Sequence, residues 1–287
     1  MFGYGRPGRR VPASAQYNAR VPQLRRAKQE GRLRLHPRFA SRFLSTPRDL
    51  TVYLPPGYES SGARHPVFYL QDGQNLFDPA TAFGGQDWRA DITADEMICR
   101  GEIEPVILVG IYNTGTRRIS EYTPTLDKRL RKGGKAGRYA EMLAREIKPY
   151  IDHEYRTLKS RQHTAVGGSS LGALASLIAA FEYPGVFGQV AMVSPSVWWD
   201  RRSIIAEARR YRAPSRPRIW LDVGTEESDS AQLVVEEARL LRDALIESAW
   251  RLGPELAYRE IEGGVHSESA WAERFGSVLA YLFGTRK

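Results

Sequence analysis

The chain lacks most of the residues from which metal, redox and membrane proteins are built. Cys99 is the only cysteine among 287 residues, which excludes an internal disulfide and suits a reducing compartment. It falls in a helix expected over residues 94–100, with no histidine nearby, and is read as a small packing residue rather than a nucleophile. The five histidines (36, 65, 153, 163 and 266) show no metal-ligand spacing such as H-E-x-x-H. No apolar run approaches the roughly 18 residues needed to span a bilayer. The basic start Met1-Phe2-Gly3-Tyr4-Gly5-Arg6 is not followed by an apolar core, so neither a secretory leader nor an anchor is expected, and the cytoplasm is the default location. There is no G-x-x-x-x-G-K-[ST] phosphate loop. Gly3 to Gly8 formally match G-x-G-x-x-G, but no strand precedes them and Pro7 interrupts them, so a dinucleotide site is rejected.

What is present suits a globular α/β protein. Hydrophobic residues make up 42% of the chain, ample for one large domain. The net charge of +9 is unevenly placed: residues 1–48 carry 12 Lys and Arg against the single Glu30, and the remainder carries 30 against 32 acids. The basic character therefore belongs to an N-terminal segment, read as a solvated, flexible arm over 1–31 ahead of a domain over 32–287. Such an arm can hold a polyanion through counterion release. With only Phe2, Tyr4 and Tyr17 as stacking groups and no nucleic-acid module, nucleic acid is not the expected partner.

Period-two alternation at 32–36 and 50–54 predicts an antiparallel opening to a sheet. Continuous apolar runs at 67–70 and 105–111 read as strands covered on both faces. From residue 136 strands and helices alternate: helix from 136 to about 151, strand 163–167, helix 173–181, strand 188–193, helix 204–211, strand 218–223, a long helix 230–250, strand 255–261 and helix 270–283. About eight strands with intervening helices imply a mostly parallel sheet with helices on both faces.

Gly168-Ser169-Ser170-Leu171-Gly172 lies where the 163–167 strand gives way to a helix. That is the form of a nucleophile elbow: a sharp turn exposes the serine oxygen and aims the Leu171 N–H, at a helix start, toward a developing oxyanion. A serine hydroxyl needs a positioned base. In an open parallel sheet, reactive groups belong on loops at the carboxyl ends of strands. His266, in Glu262-Gly263-Gly264-Val265-His266, follows the last strand and meets that rule, whereas His163 begins the elbow strand at the wrong end. The acid that orients His266 should come from Thr225-Glu226-Glu227-Ser228-Asp229, with Glu227 favoured, Glu226 next and Asp229 third. A second oxyanion donor is expected from the backbone of Gly73 or Gln74, in the turn after the third strand.

Val52-Tyr53-Leu54-Pro55-Pro56-Gly57-Tyr58, Tyr69-Leu70-Gln71-Asp72-Gly73-Gln74-Asn75-Leu76-Phe77, the elbow, Ser194-Pro195-Ser196-Val197-Trp198-Trp199 and Gly263-Gly264-Val265-His266 with Trp271 occur in that order. Together they resemble the esterase family of α/β-hydrolases that includes enterochelin esterase-like enzymes, feruloyl esterases and relatives of esterase D. The resemblance runs from about residue 32 to the C-terminus. It implies an α/β-hydrolase fold and serine carboxylester hydrolysis of a small-molecule ester, with neither metal nor organic cofactor. The cluster of three acids departs from the family's single-acid pattern and leaves the third triad member open among them.

Asn113, Arg117 and Arg118 follow the strand ending at residue 111, on the same edge, where an arginine could hold a substrate carboxylate or phenolate. Trp198, Trp199 and Trp88 are candidates to wall an aromatic substrate site, and Trp271 to pack the last helix. Two further readings fit the same residues: acyl transfer to an alcohol at the same serine, and a non-catalytic polyanion-binding protein on a hydrolase scaffold.

Overall fold

The computed structural model describes residues 32–285; the basic arm expected over 1–31 lies outside the described residues. Two antiparallel strands, β1 (Arg32–Phe39) and β2 (Arg48–Leu54), open the sheet, and β2 pairs with β4 (Ile107–Ile111), also antiparallel. From β4 onward every pairing is parallel, through β3 (Val67–Gln71), β7 (Thr164–Ser169), β8 (Gln189–Val193), β9 (Arg218–Gly224) and β10 (Leu256–Ile261). The spatial order of this eight-stranded sheet is β1-β2-β4-β3-β7-β8-β9-β10. The chain leaves β3 toward β4 on one side and returns to place β7 on the other, so the strand order reverses between β3 and β7. At such a switch the two following loops diverge and leave a crevice at the carboxyl edge of the sheet.

Alternation along each strand builds a core on both faces. On one face Val67, Tyr69, Val109 and Val166 pack with α3 (Ala136–Met142), α4 (Lys148–Glu154) and α5 (Leu171–Glu182). On the other, Phe68, Leu70, Leu108 and Ala165 pack with α1 (Ala90–Cys99) and α8 (Glu268–Phe283). Helix α2 (Arg118–Tyr122) follows β4, and α6 (Trp199–Arg210) and α7 (Ala231–Glu247) complete the crossovers beside β9. Among the described residues no helix is long and apolar enough to cross a membrane, and no cluster of three His, Cys, Asp or Glu could hold a metal ion.

Several local expectations are corrected. The elbow strand runs from Thr164 to Ser169, with His163 in the 3₁₀ turn before it. The helix from 136 contains a π-helical turn, Leu143–Ile147, between α3 and α4. A small hairpin, β5 (Leu126–Asp127) with β6 (Lys132–Gly133), has no period-two signal because each strand has two residues. Cys99 does not pack inside: it ends α1 on the exposed side.

Candidate active site

The crevice at the switch point holds Ser170. It links β7 directly to α5 with φ 57° and ψ −122°, a conformation costly for a residue with a Cβ and maintained by its surroundings. Its N–H donates to the Val193 carbonyl at 2.9 Å, which pins the turn to the neighbouring strand. The hydroxyl is thereby turned out of the sheet edge, where Oγ lies 3.1 Å from His266 Nε2 and 3.0 Å from Ser196 Oγ.

His266 reaches this position because β9 and the loop after β10 come into backbone contact. A Cβ on Gly224 would sit 2.2 Å from the Gly264 carbonyl oxygen, so only glycine allows the approach. Glu226 N–H donates to that carbonyl at 2.9 Å, and the loop carries His266 over Glu227. His266 Nδ1 lies 2.9 Å from Glu227 Oε2. A carboxylate can only accept, so Nδ1 carries the proton; the neutral ring then has Nε2 free to accept from the Ser170 hydroxyl. Of the three acids expected to compete, Glu227 alone contacts His266. Glu226 and Asp229 are exposed on the same loop.

The Glu227 side chain is only 1% exposed. Burial alone would raise its carboxyl, but hydrogen bonds from His266, from the Ser194 hydroxyl and from the Gly224 N–H hold it below the usual carboxylate range. Arg274, on α8, adds a guanidinium 3.4 Å from Oε1. Trp271, expected to pack the last helix, is indeed buried on it, but its ring also stands edge-on to His266 with centroids 4.8 Å apart.

A cavity of about 450 Å³ opens beside Ser170, lined among others by Gln74, Asn113, Arg118, Phe83, Glu268 and Trp271. Gly73 and Gln74 begin a 3₁₀ turn, and Leu171 begins α5, so their N–H groups have no acceptor within their own helix. The turn is pressed onto β4: a Cβ on Gly73 would lie 2.4 Å from the Gly110 carbonyl carbon. Arg118 lines the cavity but is engaged, donating through Nε and Nη2 to the two oxygens of Asp72 at 2.8 and 2.7 Å. Asn113 Nδ2 donates to Asp72 Oδ1 at 2.7 Å.

Three tryptophans and one arginine lie elsewhere than expected. Trp88 is core, packed on Phe275 and donating to Glu268 Oε2 at 2.5 Å. Trp199 is core, donating to the Thr125 carbonyl at 3.1 Å, and Trp198 is half-exposed against it; none of the three lines the cavity. Arg117 points away and donates to Ser45 Oγ at 2.9 Å. The aromatic walls are Phe83 and Trp271 instead.

Four side chains at the site carried no expectation of a role: Ser194, Ser196, Glu268 and Arg274. Ser194 and Ser196 follow β8 at the same carboxyl edge, a signal that could have found them. Glu268 opens α8 and accepts from Asn75 Nδ2 at 2.7 Å as well as from Trp88. Burial, aided by the nearby Asp72 charge and opposed by these donors and Arg118, pushes its carboxyl up to about 7. Arg274 lies deep on α8 and offers no sequence signal.

The doubly covered sheet, the strained serine turn and the cavity at the switch point define an α/β-hydrolase. Comparison with known proteins agrees and goes further. The chain matches the family described as "Putative esterase" over residues 41–282, and it belongs to that family. It is thus a carboxylic-ester hydrolase. It is 24% identical to the uncharacterized protein YbbA of Bacillus subtilis over 249 residues, 84% of this chain and 94% of that one. It is 26% identical to the siderophore enterobactin esterase of Emericella nidulans over 212 residues, 64% of this chain and 65% of that one. Its fold is similar to that of a ferulic acid esterase structure, with a TM-score of 0.70 at 18% identity, covering 88% of this chain and 98% of the other.

Proposed function

We propose that the protein hydrolyses its ester through an acyl-enzyme on Ser170, with His266 as base and then acid, and Glu227 as the orienting carboxylate. The observation that carries this reading is the unbroken contact from Ser170 Oγ to His266 Nε2 at 3.1 Å and from His266 Nδ1 to Glu227 at 2.9 Å. In the first half, Oγ attacks the carbonyl carbon as its proton passes to Nε2, and the carbonyl electrons collect on the oxygen. The backbone N–H groups of Leu171 and of Gly73 or Gln74 are the proposed donors to that oxyanion. Collapse expels the alcohol, which takes the proton from Nε2. Water then repeats the cycle: Nε2 accepts its proton, hydroxide attacks the acyl carbon, and Ser170 leaves reprotonated. Glu227 stays ionised throughout and stabilises the imidazolium that forms twice.

The cavity supports a polar ester. Its walls offer the neutralised Arg118–Asp72 pair, the amides of Gln74 and Asn113, and the Glu268 carboxyl, with Phe83 and Trp271 as the apolar surface. Relatives named for siderophore and ferulic acid esters favour such substrates over plain acyl chains. We take residues 32–287 as one hydrolase domain, with Ser170, His266 and Glu227 all inside it. Ser170→Ala should abolish p-nitrophenyl acetate hydrolysis and fluorophosphonate labelling while leaving the circular dichroism spectrum unchanged. Full turnover by that variant would overturn the assignment.

A further inference from the structure

Behind Glu227 lies a buried polar cluster that the mechanism above does not use. It is built by Ser194 from the end of β8, Asp222 from β9, and Trp271 and Arg274 from α8. Ser194 is nearly inaccessible, at 1% exposure, and holds φ at 45°. Glycine adopts such a backbone more readily than any residue with a Cβ. A serine stands there, and its hydroxyl is fully engaged. Trp271 Nε1 donates to Oγ at 2.9 Å and Arg274 Nη2 at 2.5 Å. Those two donors fill both lone pairs of the hydroxyl, so its own hydrogen has one direction left, toward Glu227 Oε1. The Gly224 N–H reaches the same oxygen at 2.6 Å. Oε1 is saturated from behind, and Oε2 is left facing His266.

Arg274 is held in turn. Its Nε lies 3.5 Å from Asp222 Oδ1, and Asp222 is fully buried, accepting from Trp220 Nε1 at 2.6 Å and from the Ser194 N–H at 3.3 Å. One guanidinium thus serves two buried carboxylates, and both also contact Ser194. A cluster built only for stability would not need its single free hydroxyl proton aimed at the acid that meets the histidine.

We infer that Ser194 and Arg274 are positioning residues that fix the Glu227 carboxylate in the orientation presenting Oε2 to His266. The inference rests on the proposed roles of Ser170, His266 and Glu227. The titratable and charged groups that face Glu227 are His266 from the loop after β10, Arg274 from α8 and Asp222 from β9. Without the Ser194 hydrogen bond to its charged form, Glu227 protonates at higher pH.

The test compares wild type, Ser194→Gly, Ser194→Ala and Arg274→Met on p-nitrophenyl acetate, with fluorophosphonate labelling of each. Both Ser194 variants should lose about 10–100-fold in kcat with KM nearly unchanged, as when an outer partner of a site ligand is removed. Ser194→Gly relieves the backbone strain, so it should melt no lower than Ser194→Ala yet be equally slow; a purely structural role would make activity follow stability. Arg274→Met should repeat the pattern, and if it does not fold the two Ser194 variants decide alone. A readout independent of turnover is the His266 Nδ1 proton resonance, expected downfield in Ser170→Ala and displaced in Ser170→Ala/Ser194→Gly. Wild-type kcat in the Ser194 variants and an undisplaced His266 Nδ1 resonance in Ser170→Ala/Ser194→Gly, with wild type still labelled, would overturn this inference alone. An unlabelled wild type matched by an active Ser170→Ala would instead overturn the reading beneath it.

Discussion

Two glutamates stand at the same site, Glu227 against His266 and Glu268 at the cavity wall; both lie largely out of solvent, and their carboxyls are driven in opposite directions. Glu227 is held below the usual carboxylate range, and Glu268 is pushed up to about 7. Burial penalises the charge of both. The difference lies in what surrounds each carboxylate. Glu227 receives His266, the Ser194 hydroxyl and the Gly224 amide, with Arg274 close by. Glu268 receives two neutral side-chain donors, Asn75 and Trp88, and faces the negative charge of Asp72. Depth sets the cost of a charge, and the donor set decides whether it is met. One glutamate is thereby suited to remain an anion beside His266, the other to change protonation at the cavity wall.

The sharpest way to break this comparison is to neutralise each glutamate in turn. Glu227→Gln should lower kcat by about 10³–10⁴-fold with little change in KM, because the amide can present the wrong partner to Nδ1. Glu268→Gln should cost at most about tenfold in kcat/KM, in the range of one substrate contact. Equal losses would mean that the two carboxylates share one role.

Stability should separate them next, with opposite slopes against pH. Folded Glu268 keeps its proton up to about 7, whereas the unfolded side chain loses it near 4.5. Between those values the native state binds more protons, so stability falls as pH rises. Glu268→Gln should remove about 1–2 kcal/mol of that decline, the value being discounted for partial exposure. Glu227 has the reverse sign. Its contribution is present above the unfolded value of 4.5 and is lost as pH falls through its lower folded value. Thermal melts of both variants at pH 5 and pH 8 check the Glu268 slope, and melts from pH 5 downward the Glu227 slope. The smallest effects belong to the exposed neighbours: Glu226→Gln and Asp229→Asn should change kcat less than about twofold and stability by under about 0.5 kcal/mol.

How far the sequence reached follows from what each residue type reveals. The sheet was legible because apolar runs and period-two alternation are local signals. Ser170 and His266 were singled out by rules that tie chemistry to a glycine-flanked turn and to the carboxyl edge of a parallel sheet. Glu227 could only be ranked against Glu226 and Asp229. Three acids in one loop differ by direction, and direction here depends on the backbone contact of Gly224 with Gly264. Trp88 and Trp199 were set at the substrate wall because a tryptophan carries the same composition signal in a core as at a surface. Glu268 and Arg274 went unnoticed because their partners lie as far away in sequence as Asn75 and Ser194.

The most direct measurement is a rapid acid quench during turnover of p-nitrophenyl acetate, followed by mass spectrometry of the digested protein. An acetyl group on the peptide bearing Ser170, appearing with a pre-steady-state burst of p-nitrophenol and absent from Ser170→Ala, is the predicted result. Steady hydrolysis with that peptide unmodified, or an acetyl group carried by another side chain, would contradict it.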